Sequence, residues 1–152
     1  MSNSLLVEDG TIVRAVSANE KANIIAFGGS ATPKGELSFP FISIHRIDKQ
    51  GKFPLLFSQT FEDMVGAVTI VEFVYLAKKP TLLACDENNL FVFEFKSNKL
   101  NLLQKVENLH GGPINTLGYH RLDIFTGSDD KTTAKSVMDK KLIKVPKAPP
   151  AF

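Results

Sequence analysis

The chain has one cysteine, Cys85, and no tryptophan among its 152 residues. A lone thiol excludes an internal disulfide and a cysteine-built zinc centre, and it fits a reducing compartment, so the expected location is intracellular, cytoplasmic or nuclear. Histidine is scarce too. His45, His110 and His120 are the only three, and none has a partner at i+4 or a carboxylate at ligand spacing, which argues against a metal site or a histidine-based dyad. No run of 18 apolar residues is available to span a bilayer, and residues 1–9 lack the basic start and long apolar stretch of a secretory leader. The expectation is therefore no membrane span, no metal and no cofactor.

What is present is apolar residue in short runs. With 43% apolar and 22% charged residues, the composition is that of a soluble globular protein. A chain of this length buries roughly 68–70% of its unfolded surface, enough for one domain with its own core. Twelve Phe against two Tyr indicates buried packing layers rather than a surface of polar-tipped aromatics. The net charge of +2 is unevenly spread. From residue 131 onward Lys131, Lys135, Lys140, Lys141, Lys144 and Lys147 face only Asp139, so the end is basic and the remainder acidic. The aromatics lie in predicted strands and not among those lysines, so a nucleic-acid partner is not expected.

The runs repeat a plan. Residues 66–106 read as four strands: Gly66 to Tyr75, Thr81 to Cys85, Leu90 to Phe95 with Phe91, Phe93 and Phe95 on one face, and Leu100 to Val106. Residues 10–60 repeat it with Thr11 to Val16, Asn23 to Phe27, Phe41 to Ile47 and Phe53 to Gln59. Residues 112–145 repeat it more weakly, through Ile114 to Tyr119, a run ending at Ile124-Phe125, Thr132 to Val137 and Leu142 to Val145. Matching third strands at Ile42, Phe91 and Thr133 gives units of similar length. Residues 146–152 hold three prolines, which block ladder hydrogen bonds and read as an extended tail.

In the last unit, His110-Gly111-Gly112-Pro113 is followed after about a dozen residues by Thr126-Gly127-Ser128-Asp129-Asp130-Lys131-Thr132. This order resembles the WD-repeat family of β-propellers, whose repeats run about 40–45 residues. The resemblance implies an all-β fold of four-stranded antiparallel blades in a partial β-propeller, with a β-sandwich or small barrel as the alternative the same alternation supports. It also implies a structural network in which a His before the first strand, a hydroxyl in the second and an Asp in the hairpin brace the blade. His110, Thr126 or Ser128, and Asp130 stand at those positions, and the tryptophan of the family pattern has no counterpart.

The expected domain is 1–145, one partial propeller. Three blades fall short of the 4–8 that close a ring, so the expected partners are other protein subunits or further copies of the chain, and Leu5-Leu6-Val7 is a candidate latch strand. The functional expectation is a non-enzymatic scaffold for protein–protein interaction within a larger complex, with no catalytic residue. Binding candidates come from the hairpin loops: Ser30, Thr32, Lys34 and Glu36 in the long stretch Gly28 to Pro40, Asp86 and Asn88 in the second unit, Asp129 and Lys131 in the third. The paired acids Asp86-Glu87 and Asp129-Asp130 fit turn capping better than a cation site. The long hairpin and Phe41 to Asp48 also resemble the first blade of endoplasmic-reticulum exchange-factor propellers. That likeness implies an alternative, a propeller-type regulator or guanine-nucleotide exchange factor for a small GTPase.

Overall fold

Twelve strands follow one another along the chain in a computed structural model that describes residues 10–32, 37–74, 80–139 and 142–144. They are β1 (Thr11–Asn19), β2 (Ile24–Ala31), β3 (Phe39–Arg46), β4 (Leu55–Thr60), β5 (Ile70–Val74), β6 (Thr81–Cys85), β7 (Leu90–Lys96), β8 (Lys99–Val106), β9 (Ile114–His120), β10 (Asp123–Ser128), β11 (Thr133–Asp139) and β12 (Leu142–Lys144). Each strand pairs antiparallel with its neighbour in sequence, giving three separate four-stranded sheets, β1 to β4, β5 to β8 and β9 to β12. No sheet closes on itself, and the described residues contain no helix. The chain is thus all-β, a partial β-propeller of stacked blades; the small barrel and the two-sheet sandwich are not what forms. No helix among the described residues is long and apolar enough to cross a membrane.

The middle sheet organises the stack. Every residue of β6, and of β7 up to Phe95, is buried, as expected of strands covered on both faces. Period two divides them. Leu82, Ala84, Phe91, Phe93 and Phe95 join Ile24, Ala26, Ile42 and Ile44 of the first sheet in one core. Leu83, Cys85, Leu90 and Val92 join Ile114, Ile124, Ala134 and Met138 of the third sheet in another. The rings of Phe57 and Phe61 from the first sheet's outer side meet Phe95 and Phe93 at 6.5 and 5.8 Å. Burying a Phe side chain is worth about 1.5–3 kcal/mol, against about 0.5–1.5 kcal/mol net for a hydrogen bond. The first junction is therefore held mainly by phenylalanine, with the Phe73 amide donating to Ser17 Oγ at 3.0 Å as its polar register pin.

Two details differ from the sequence reading. Phe91 and Ala134 point to the preceding sheet, whereas Ile42 points to the following one. The positions of β3 that correspond to Phe91, Phe93 and Phe95 are Phe41, Ser43 and His45, and Ala134 replaces Thr133 as their counterpart. A one-residue slip turns a side chain to the opposite face, and a run apolar on both faces carries no phase by which to detect it. The second difference concerns Gly28-Gly29-Ser30-Ala31, which belong to β2 and not to the loop. Gly29 pairs with Val13 and Phe41, and Ser30 with Ile12 and Pro40. A Cβ on Gly28 would stand 2.6 Å from Val68 Cγ1, and one on Gly29 would stand 1.8 Å from the Ile12 carbonyl oxygen. These glycines are close-approach positions at a bulge in β1 and at the junction between sheets. The candidate latch at Leu5 to Val7 and the tail 146–152 lie outside the described residues.

Candidate functional site

Because the three sheets share one strand order, their connections alternate between two rims. The hairpins after β2, β6 and β10 and the links between sheets emerge at one rim. There the Glu87 amide donates to Val65 O at 3.3 Å, the Ile114 amide to Glu87 O at 3.1 Å and the Asp129 amide to Pro113 O at 3.2 Å. The remaining turns emerge at the other, where the Ile47 amide donates to Asn23 O at 2.7 Å and the Met138 amide to Leu122 O at 2.8 Å.

The two rims carry opposite charge. On the hairpin rim, Glu62, Asp63, Glu87, Glu107 and Asp129 are exposed and Asp130 is half-buried, against Lys131. Of these, Glu107 is engaged by Lys105 at 3.0 Å. On the opposite rim Lys21, Arg46, Lys49, Lys52, Lys96, Lys99 and Arg121 are exposed, against Glu20 and Asp48. A net charge of +2 therefore conceals an acidic end and a basic end. Sequence reasoning found the acids of the hairpins but not Glu62 and Asp63, because only the fold brings the linker between the first two sheets beside Asp86 and Glu87.

The structure brings His110, Thr126 and Asp130 together, with Thr132 between His110 and Asp130. The Asp130 carboxylate only accepts, so the Thr132 hydroxyl donates to it, and the same oxygen accepts from His110 Nδ1–H at 2.7 Å. In the neutral ring Nε2 is then an acceptor, and it takes the Thr126 hydroxyl at 2.8 Å. The Gly111 amide donates to Asp130 Oδ2 at 2.6 Å and the Thr132 amide to Oδ1 at 2.9 Å. The Thr132 hydroxyl above all, then the Gly111 and Thr132 amides, hold the Asp130 carboxyl down at about 2. The order hydroxyl, imidazole, carboxylate imitates a nucleophile relay, yet Thr126 is 2% exposed, and a buried hydroxyl has no substrate to attack. The network ties the hairpin to the strand approach.

In the second sheet Asp86 does the equivalent work without a histidine. Its Oδ1 accepts from the Asn88 and Asn89 amides at 2.8 and 2.7 Å, and its Oδ2 from the Val65 amide at 2.9 Å. It is fully buried, so this binding candidate is a bracket for the hairpin and the linker. Ser30 is buried within β2, and Thr32 donates its hydroxyl to Gly10 O at 3.1 Å, stapling the open end of the first hairpin. Asn88, Asp129 and Lys131 are exposed on the hairpin rim, with Asp129 accepting from the Asn115 amide side chain. Lys34 and Glu36 lie outside the described residues, as does the centre of the loop on which the exchange-factor likeness rests. Leu37 at the same loop and Val65 in the linker are exposed apolar residues that no sequence pattern marked. Among the described residues no group of His, Cys, Asp or Glu is placed to hold a metal ion.

No protein-family model and no curated protein matches the chain. Solved structures do. Sqt1 from Saccharomyces cerevisiae is similar at 11% identity with a TM-score of 0.66, over 89% of this chain and 34% of that one. Sqt1 from Chaetomium thermophilum, bound to the N-terminus of the ribosomal protein L10, is similar at 15% identity with a TM-score of 0.65, over 93% of this chain and 39% of that one. The computationally designed Ika4 protein is similar at 15% identity with a TM-score of 0.60, over 97% of this chain and 81% of that one. Identities this low show the fold alone, and the chain spans little more than a third of the Sqt1 structures.

Proposed function

We propose that this chain is a non-enzymatic, WD-repeat-like scaffold within an intracellular protein complex, and that its acidic hairpin rim receives a basic segment of a partner protein. The observation that carries the reading is the gathering of Glu62, Asp63, Glu87 and Asp129 on one rim, opposite a rim of lysine and arginine. Charge of one sign over a rim selects partners of the other and raises their rate of encounter. The structurally similar Sqt1 is bound to the N-terminus of the ribosomal protein L10, which supports a segment of another protein as the partner. The burial of Thr126 supports a structural role for the His110 network. On this reading residues 1–145 act as one unit with 146–152 as a tail, and Lys34 and Glu36 belong to the binding rim beside Asn88, Asp129 and Lys131.

The test is capture from cell extract with the wild-type chain and with the double variant Glu87→Lys, Asp129→Lys, both sites being exposed. The expected result is loss of the specific partners with an unchanged melting temperature. Recovery of the same partners in the same yield rejects the acidic rim as the binding surface.

A further inference from the structure

We propose that the outer wedge between the first two sheets seats one phenylalanine side chain of the partner segment, while a lysine or arginine next to it in that segment pairs with Asp63. This deepens the reading above, resting on its basic partner segment but not on Glu87 or Asp129. The two sheets share one core and separate toward their outer strands, β4 and β8. Gln59 of β4 stands opposite Ile42, and Leu102 and Leu100 of β8 stand opposite Phe93 and Phe95. Residues opposite each other lie on one face of a sheet, so all three side chains are on the faces that meet at this junction. A bulge prepares the place. Val92 pairs with Gln104 but Phe93 with Leu102, and the extra residue, Leu103, brings Leu102 to the Phe93 side. Leu102 is nonetheless 48% exposed, so the wedge stays open there. The gap is a cavity of about 150 Å³, the size of an apolar cavity that accepts a benzene ring.

The lining selects the occupant. Phe61, Met64, Phe91 and Phe93 form its buried floor, and Phe61 and Phe91 flank Phe93 with ring centroids 5.8 and 6.1 Å away. A further ring at such spacings adds edge-to-face or offset contact to the apolar burial. The polar lining residues are Gln59 and Asp63, both exposed. Asp63 follows the exposed Glu62, and among the described residues no ion pair engages its carboxylate. Lys105 approaches with its ammonium 5.7 Å from the Phe91 centroid, but Glu107 holds it at 3.0 Å. An apolar seat with an unpaired carboxylate at its mouth complements a ring with a cation beside it and repels a ring with an anion beside it. Both walls belong to this chain, so the wedge is complete without a neighbouring sheet.

Titration of the methyl-labelled full chain at low salt, followed by NMR, tests this with three probes: acetyl-phenylalanyl-lysine amide, acetyl-alanyl-lysine amide and acetyl-phenylalanyl-glutamate amide. The first is expected to shift the methyl signals of Met64, Leu100 and Leu102 along one saturable curve at millimolar concentration, and to leave Met138, in the other core, in place. The alanyl probe is expected to bind at least about tenfold more weakly, and the glutamate probe up to about fivefold more weakly. Leu102→Arg and Asp63→Asn alter exposed residues and are expected to keep the wild-type circular dichroism. The first is expected to abolish the shift at Met64, the second to make the lysine and glutamate probes bind alike. No saturable shift with the phenylalanyl-lysine probe, an alanyl probe that binds as well, a glutamate probe that binds as well to the wild type, or a Leu102→Arg chain that binds unchanged would each overturn the proposal. Neither Glu87 nor Asp129 lines the wedge, so failure here leaves their capture test standing, and failure of that test leaves the ring seat standing.

Discussion

At the scale of single residues, polar groups here are spent on bracing. Asp130 has a folded pKa of about 2, below the usual carboxylate value of about 3.9. A depressed carboxyl contributes stability that is complete above the unfolded value and is lost as pH falls through the folded one. Stability is therefore expected to decline between about pH 4 and pH 2, and Asp130→Asn to flatten that part of the curve, as read from urea midpoints across the range. Thr126→Val removes a buried hydroxyl and leaves His110 Nε2 without its donor, an expected cost of about 1–3 kcal/mol in the same assay. Burial first, and the charge of Asp86 second, push the Cys85 thiol far above its ordinary range. The native protein is expected to resist alkylation at pH 8 and to label only on unfolding, which mass spectrometry resolves. The sequence shows His110, Thr126 and Asp130 because their order carries the network. It does not show Thr132, since a threonine two residues beyond an aspartate is common in turns and only the fold reveals which hydroxyl the imidazole reaches.

At the scale of elements, glycine separates what alternation makes legible from what it does not. β6 matches its sequence expectation from Thr81 to Cys85, because turn residues bound a wholly apolar run on one side. β2 runs on to Ala31, although Gly28-Gly29-Ser30 reads as loop, because a strand that must admit a neighbouring backbone and two valines uses the residues that usually break strands. Gly29→Ala places a methyl group against the Ile12 carbonyl oxygen and is expected to cost about 3 kcal/mol or more. Gly118→Ala meets nothing within 4 Å and is expected to be neutral or to stabilise by about 0.5 kcal/mol through the unfolded chain. Thermal melts of the pair give opposite signs. The open face of β11 shows the same logic in charge: Lys135, 3.8 Å from Asp123, stands where Ile42 and Val92 stand in the other sheets. An edge or face carrying lysine is protected against indiscriminate association.

At the scale of the molecule, two rims differ in sign, and that property is not visible in any one stretch of sequence. The rims arise because acids cluster in hairpins and cations cluster in the intervening turns, so a chain of modest net charge becomes a strong dipole when its connections sort to opposite ends. An approaching polycation would meet a molecule already turned toward it, before any contact forms. The screening length is about 10 Å at 0.1 M salt, so raising the ionic strength is expected to slow capture while leaving the lifetime of the complex nearly unchanged. The protein would then behave less like a sticky surface than like a compass needle, aligned at a distance and released on its own schedule.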